Sequence, residues 1–207
     1  MKILSVNAGS SSLKFQLYEM PEEKVLISGL MERIGVGNSF YTIKVNGEKI
    51  KKEVELNNHE EAFETLVKEL EENNVVESLE EIEGIGHRVV QGGDYFDKTV
   101  VIDDEVLAKI DELSSLAPLH NPAAVTGIKA AKDVFPNAVQ TAVFDTAFHQ
   151  TMPKENFLYA LPISWYTDLK VRRYGAHGTS HKFVSQRMNE ILKRDDTKII
   201  TCHIGNG

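Results

Sequence analysis

Cysteine is almost absent from the chain, since Cys202 is the only one among 207 residues. An internal disulfide is therefore excluded, and the composition suits a reducing compartment. Runs of basic residues are also missing, and the net charge of −8 argues against duplex nucleic acid as a partner. No apolar run approaches the length of a membrane span. We therefore expect a cytoplasmic protein that does not enter a membrane.

The segment from Val6 to Leu17 is the most informative part of the sequence. Two short apolar stretches flank a turn of alanine, glycine and serine. Gly9 lets backbone approach a ligand closely, Ser10 and Ser12 offer hydroxyls, and Lys14 follows as a cation. This pattern suits a polyphosphate held between paired strands. It is not a Walker-type loop, because the spacing differs and a strand follows. An ordinary Ser/Gly hairpin is the alternative.

Hydrophobic periodicity predicts a β-rich first unit followed by helices. Strands are predicted at Ile3–Val6, Leu13–Met20, Val25–Met31, Phe40–Val45, Glu48–Leu56, Ile85–Val90, Thr99–Ile102, Val139–Phe144 and Lys198–Ile204. Helices are predicted after Asn57 or Asn58, after Asp103 or Asp104, from Asn121 to just before Pro136, and over about 180–194.

Two of these predictions are specific about local environment. Asn121 is expected to cap its helix, with Pro122 as the first helical residue. The apolar strand Val139–Phe144 is typical of strands buried on both faces. Near residue 150 the sequence becomes irregular and richer in aromatic residues. This change divides the chain into a first domain, residues 1–150, and the beginning of a second, residues 151–207.

Three polar residues occur where reactive groups are expected. Arg88 lies inside an apolar strand just before two glycines, and a buried arginine needs a carboxylate or a phosphate as partner. Asp145 ends an apolar strand, where α/β proteins place ligand-binding groups, so it could hold Mg²⁺ or orient a nucleophile. Two nearby glycines leave the ring of His177 accessible. The alternatives are a structural ion pair for Arg88 and a turn cap for Asp145.

Six segments taken together resemble the acetokinase family of the actin/hexokinase/sugar-kinase superfold. They occur in family order at family-like separations: Asn7–Leu17, His87–Gly93, Leu116–Pro122, Val143–Pro153, Tyr174–His181 and Ile200–Gly207. The resemblance implies an α/β fold. Its first part is an actin-like ATPase (ribonuclease H-like) domain with a mixed sheet flanked by helices, followed by the start of a second similar domain. It also implies that the intact protein is a homodimer and that this chain is an incomplete, inactive portion.

The activity implied by the resemblance is reversible phosphoryl transfer from ATP to acetate, with Mg²⁺ or alternatively Mn²⁺, giving acetyl phosphate and ADP. The implied catalytic residues are Asp145, Arg88 and His177, and Asn7 is the implied metal residue. The implied substrate-binding residues are Arg88, Val90, Leu119 and Ala176. The residues implied to bind the phosphates of ATP are Ser10, Ser12, Lys14, His203, Asn206 and Gly207.

Two positions depart from the family pattern. Ala176 stands where the family usually has phenylalanine, and Gln91 stands where it usually has histidine. A smaller side chain at 176 enlarges the pocket near the substrate methyl group, so we expect weaker discrimination between acetate and propionate. The alternatives are a propionate or short-chain carboxylate kinase of the same family and a non-catalytic actin-fold binding module.

Overall fold

A mixed sheet of eight strands organises the fold. The computed structural model describes residues 1–205. The strands are β1 (Lys2–Gly9), β2 (Ser12–Glu19), β3 (Lys24–Glu32), β4 (Phe40–Val45), β5 (Glu48–Glu53), β6 (Ile82–Val89), β7 (Val100–Val101) and β8 (Val139–Phe144). Their order is β5-β4-β3-β2-β1-β6-β8-β7. Strands β1 to β5 form an antiparallel meander, whereas β1, β6 and β8 run parallel.

Helices flank this sheet, as the sequence predicted, and the expected α/β class is confirmed. They are α1 (His59–Glu72), α2 (Asp104–Glu112), α3 (Asn121–Val134), α4 (Lys154–Phe157), α5 (Ile163–Thr167) and α6 (Gly178–Leu192). Helices α1 and α3 contact each other, and α3 also lies against β1 and β6. Among residues 1–205, no helix combines the length and apolar character needed to cross a membrane. The domain boundary near residue 150 stays a prediction.

Alternation along β1 and β2 separates an apolar face from a polar one. Leu4, Val6, Leu13 and Phe15 are buried in the main core cluster, which also contains residues of α1 and α3. Because successive side chains of a strand point to opposite faces, the residues between them face the other way. The polar residues of the opening hairpin therefore lie together on the face away from this core.

Helix α3 begins differently from the prediction. Asn121 is its first residue, and His120 occupies the cap position without a side-chain cap bond. The predicted cap is wrong because the Asn121 side chain is fully buried and bonded elsewhere. Its Oδ1 accepts the backbone N–H of Gln91 at 3.0 Å, and its Nδ2 donates to the carbonyls of Gln91 and Ile110. Asn121 thus fixes the turn that follows β6.

Two strand predictions also need correction. Residues 198–204 form no strand, since none of the strands in the described chain pairs with them, and Ile200 and Ile204 are exposed. An extended segment needs a neighbour to satisfy its backbone N–H and C=O groups as a ladder. Strand β8 is not buried on both faces, because its burial alternates and Val139 is 56% exposed.

His87 on β6 is a buried histidine held in the neutral form. Its Nε2 shares a hydrogen bond with Oε1 of Gln140 at 2.9 Å, and the residue is 2% exposed. Burial lowers the pKa of His87 to about 4, and the Gln140 contact opposes this in part. The unfolded chain should titrate near the ordinary value of about 6.5. Stability from neutral His87 is therefore complete above about pH 6.5 and is lost as the pH falls towards 4.

We expect the free energy of unfolding to fall by about 2 kcal/mol between pH 7 and pH 5 through His87 alone. Urea titrations at both pH values should show this loss in the unsubstituted chain and a much smaller loss in His87→Gln. His120→Gln, at an exposed histidine, is the control and should retain the full loss. Equal pH dependence in His87→Gln and the unsubstituted chain would contradict the assignment.

Candidate active site

Side chains from separate segments line one cavity of about 860 Å³ on the polar face of the sheet. Lys14 comes from β2, Arg88 from β6, Asp145 from the turn after β8, and His177 from the residue before α6. Asn7 and His203 line the same cavity. Six of the residues named from the sequence therefore meet in one place.

Strand register explains why residues so far apart in sequence meet. Asn7 on β1 is paired with Lys14 on β2, and the neighbouring Val6 is paired with His87 on β6. Arg88 is paired with Val143 on β8, two residues before Asp145. Since the polar face carries alternate residues, these pairings place Lys14 of β2, Asn7 of β1 and Arg88 of β6 in one row across the sheet.

Arg88 and Asp145 form a two-point ion pair at the centre of the site. Nε of Arg88 donates to both carboxylate oxygens at 3.2 and 3.1 Å, and Nη2 donates to Oδ2 at 2.6 Å. The Asp145 side chain is 3% exposed and the Arg88 side chain is 36% exposed. This planar contact leaves Nη1 of Arg88 outside the pair, available to an anion in the cavity.

The start of α6 is hydrogen-bonded to Asp145 as well. The backbone N–H of Gly178 donates to the carbonyl of Asp145 at 2.8 Å, and Oγ1 of Thr179 lies 3.5 Å from Oδ1. Thr179 and Ser180, in the first turn of α6, line the cavity. The N-terminus of α6 therefore adds partial positive charge and hydroxyl groups where Arg88 and Lys14 already supply cations.

Two histidine rings stack at the edge of this helix start. The rings of His177 and His203 are parallel, with centroids 4.2 Å apart and 9° between planes. Nδ1 of His203 shares a hydrogen bond with Oγ of Ser180 at 3.1 Å. His177 adopts a left-handed backbone conformation with φ of 52°, which turns the chain sharply into α6. The turn thereby presents the His177 ring to the cavity.

A second cavity of about 220 Å³ adjoins the first through Asn7, Lys14 and Arg88, which line both. Val90 and Ser12, both named from the sequence, line this smaller cavity. Leu119, Ala176 and Ser10 are exposed and line neither cavity, so their implied roles stay predictions. Asn206 and Gly207 lie outside the described residues.

Sequence reasoning missed several residues that line these cavities. Gln16 was detectable, because it alternates with buried residues of β2 on the same face as Lys14. Ser180 was detectable as the start of the helix predicted over about 180–194, whereas Thr179 lies just before that prediction because α6 begins at Gly178. Leu30, His120 and Ala124 carry no signal of their own, because their approach to the smaller cavity depends on strand pairing and helix placement.

The oxygen donors of the cavity suit a hydrated magnesium ion bound through phosphate. Mg²⁺ usually keeps several waters and takes one or two protein oxygens together with substrate phosphates. Asn7 and Ser12, which line the smaller cavity, offer an amide and a hydroxyl oxygen, whereas both carboxylate oxygens of Asp145 are bonded to Arg88. Within residues 1–205 no group of three or more His, Cys, Asp or Glu side chains is arranged to hold a metal. The residues therefore suit an ion that binds together with substrate phosphate. They do not surround a metal ion with protein ligands alone.

Comparison with known proteins gives consistent results. A family model described as the acetokinase family matches residues 2–207. The acetate kinase of Macrococcus caseolyticus is 55% identical over the whole of this chain, which covers 52% of that relative. The acetate kinase of Bacillus mycoides is 57% identical, again over the whole chain and 52% of the relative. The chain thus spans about half the length of these relatives.

Solved structures agree with the sequence comparison. The crystal structure of Porphyromonas gingivalis acetate kinase is 45% identical with a TM-score of 0.89, and the match covers 94% of this chain and 49% of that one. A propionate kinase from Francisella tularensis is 46% identical with a TM-score of 0.88, covering 93% and 49%. The actin-like fold expected from the sequence is confirmed by these similarities.

Gly178 has no room for a side chain, so Gly178→Ala should disturb the site. A Cβ at this position would lie 2.3 Å from the Asp145 carbonyl oxygen and 2.9 Å from Cβ of Phe148. The Asp145 carbonyl belongs to the backbone and cannot move aside as a flexible side chain could. We therefore expect the free energy of unfolding, measured in urea, to fall by about 1–3 kcal/mol. Gly86→Ala is the control, since its Cβ would lie 3.8 Å from Oγ1 of Thr141. Equal stability of the two variants would contradict the close approach of α6 to Asp145.

Proposed function

The chain belongs to the acetokinase family, and we propose that the protein containing it transfers a phosphoryl group reversibly from ATP to acetate, giving acetyl phosphate and ADP. The observation that carries this proposal is the convergence of Lys14, Arg88, Asp145 and His177 on one cavity beside the α6 N-terminus. Four cationic or polar groups around one void suit a transferring phosphoryl group.

The chemistry requires little acid–base work. Acetate is ionised at pH 7, so one of its oxygens can attack the γ-phosphorus of ATP directly. The bond between the γ-phosphorus and the β–γ bridging oxygen breaks, and ADP leaves with that electron pair. No proton has to move. The protein's task is therefore to align two anions and to offset the charge on the equatorial oxygens.

The geometry supports a division of roles among the residues. Asp145 orients Arg88, and Nη1 of Arg88 contacts the acetate carboxylate or the phosphoryl group during transfer. Lys14, Ser12 and the α6 N-terminus contact phosphate oxygens. Asp145 acts by orienting Arg88, because both of its carboxylate oxygens are already bonded to that side chain. His177, stacked on His203 at the edge of the same cavity, contacts the phosphoryl group.

Asn7 and Ser12 are the residues that would hold Mg²⁺, or Mn²⁺ in its place. When bound, the ion offsets negative charge on the β- and γ-phosphates. The homodimer implied by the family resemblance stays a prediction, to be checked by light scattering of the intact protein.

The function is tested with a hybrid in which these 207 residues replace the matching half of the Macrococcus caseolyticus relative. We expect the hybrid to form acetyl phosphate from ATP, Mg²⁺ and acetate. A folded hybrid that binds nucleotide and acetate without transfer would instead support the binding-module alternative. Turnover with propionate, measured in parallel, decides between an acetate and a propionate preference.

Arg88→Lys and Asp145→Asn in the hybrid should each lower kcat by about 10²–10³-fold. The double variant should lose little more than the worse single variant, because both substitutions disable the same guanidinium. Lys109→Gln is the control, since it breaks an exposed ion pair with Glu105 at 2.7 Å on α2. Neither residue lines the two cavities. It should retain full activity. Multiplicative losses in the double variant would refute the orienting role of Asp145.

A further inference from the structure

The smaller cavity of about 220 Å³ has one polar end and one apolar wall. Its polar lining residues are Asn7, Lys14 and Arg88, which also border the large cavity, together with Ser12 and His120. Leu30, Val90 and Ala124 form the apolar wall together with Ala8. A short-chain carboxylate has the same polarity, with a charged head and an alkyl tail. The head would face the shared cations and the tail would contact the apolar wall.

The residues that the resemblance implies for the apolar pocket only partly supply this wall. Val90 lines the cavity, whereas Leu119 is 75% exposed and Ala176 is exposed, and neither lines it. Two other side chains, Leu30 and Ala124, take the wall positions beside Val90. Any selection by chain length in this cavity must therefore involve them.

We propose, building on the proposed function, that Leu30 and Ala124 determine the length of the acyl chain that the substrate site accepts. Leu30 is paired across the sheet with Lys14, so the wall and one of its cations are held at a fixed separation by the β2–β3 ladder. Ala124 is 4% exposed in the first turn of α3. Asn121, bonded to the turn after β6, fixes that helix relative to Val90.

Both positions are restrained against adjustment. β3 is a central strand between β2 and β4, so Leu30 cannot withdraw without breaking ladder bonds on either side. Ala124 is a buried member of a second core cluster that also contains Val89, Ile128 and Phe144, so packing holds it in place. A rigid wall of this kind discriminates between substrates that differ by one methylene by about 10–200-fold.

The test is the ratio of kcat/KM for propionate to that for acetate in the hybrid. Leu30→Ala removes three carbons from the wall, and we expect the ratio to rise about 10-fold. Ala124→Val adds two carbons and should lower the ratio, with acetate affected less than propionate. Leu26→Ala is the matched control, because Leu26 lies four residues earlier on β3 and packs on the main core cluster. It should leave the ratio unchanged.

The outcomes separate this inference from the proposed function. An unchanged ratio in a folded, active Leu30→Ala hybrid overturns the inference and leaves the function intact. If the unsubstituted hybrid transfers no phosphoryl group to any carboxylate, the proposed function fails. The inference is then judged by NMR titration of the 207-residue chain with ¹³C-methyl acetate and propionate. Identical relative affinities in the unsubstituted chain and Leu30→Ala overturn it there.

Discussion

The two-point contact between Arg88 and Asp145 is the interaction on which the candidate site depends. It joins the end of β6 to the turn after β8, and the carbonyl of Asp145 also receives the first N–H of α6. The Asp145 side chain is 3% exposed, whereas the Arg88 side chain is 36% exposed, so removal of Arg88 would leave a buried carboxylate without its partner. Arg88 and the start of α6 are therefore positioned by the same carboxylate residue, and neither can shift without the other.

The candidate site concentrates positive groups although the chain as a whole is acidic. The net charge is −8, yet the cavity gathers Lys14, Arg88 and a helix N-terminus around a single carboxylate. Arg88 is paired with that carboxylate, so Lys14 and the N–H groups at the start of α6 remain as the positive groups of the cavity. The stacked rings of His177 and His203 add two polar groups without introducing negative charge. The anion binding proposed above would therefore depend on local arrangement and not on overall charge.

The parts of the fold that the sequence predicts best are those governed by short-range chemistry. Strands β1 to β4 follow from alternation of apolar residues, and Asn46-Gly47 predicts the β4–β5 hairpin. Asn58 caps α1 as expected, since its side chain accepts the N–H of Glu61. Arg88 was found by similar local logic, because a charged side chain in an apolar strand must have a partner. Most of the other candidate site residues came from the family resemblance. Sequence alone left the partner of Arg88 open between a carboxylate and a phosphate, and the parallel register of β6 and β8 identifies Asp145.

The failures of sequence reasoning share one physical cause, which is competition from distant groups. The local sequence predicts that Asn121 caps α3. Its side-chain amide instead bonds the buried backbone of Gln91, because an unpaired buried peptide group is costly. Residues 198–204 have strand composition, but composition supplies no ladder partner. The wall formed by Leu30, Val90 and Ala124 combines three parts of the chain that no spacing rule connects. Selectivity within a shared fold can therefore reside in residues that carry no motif, since a cavity is shaped by whichever side chains the topology brings to it.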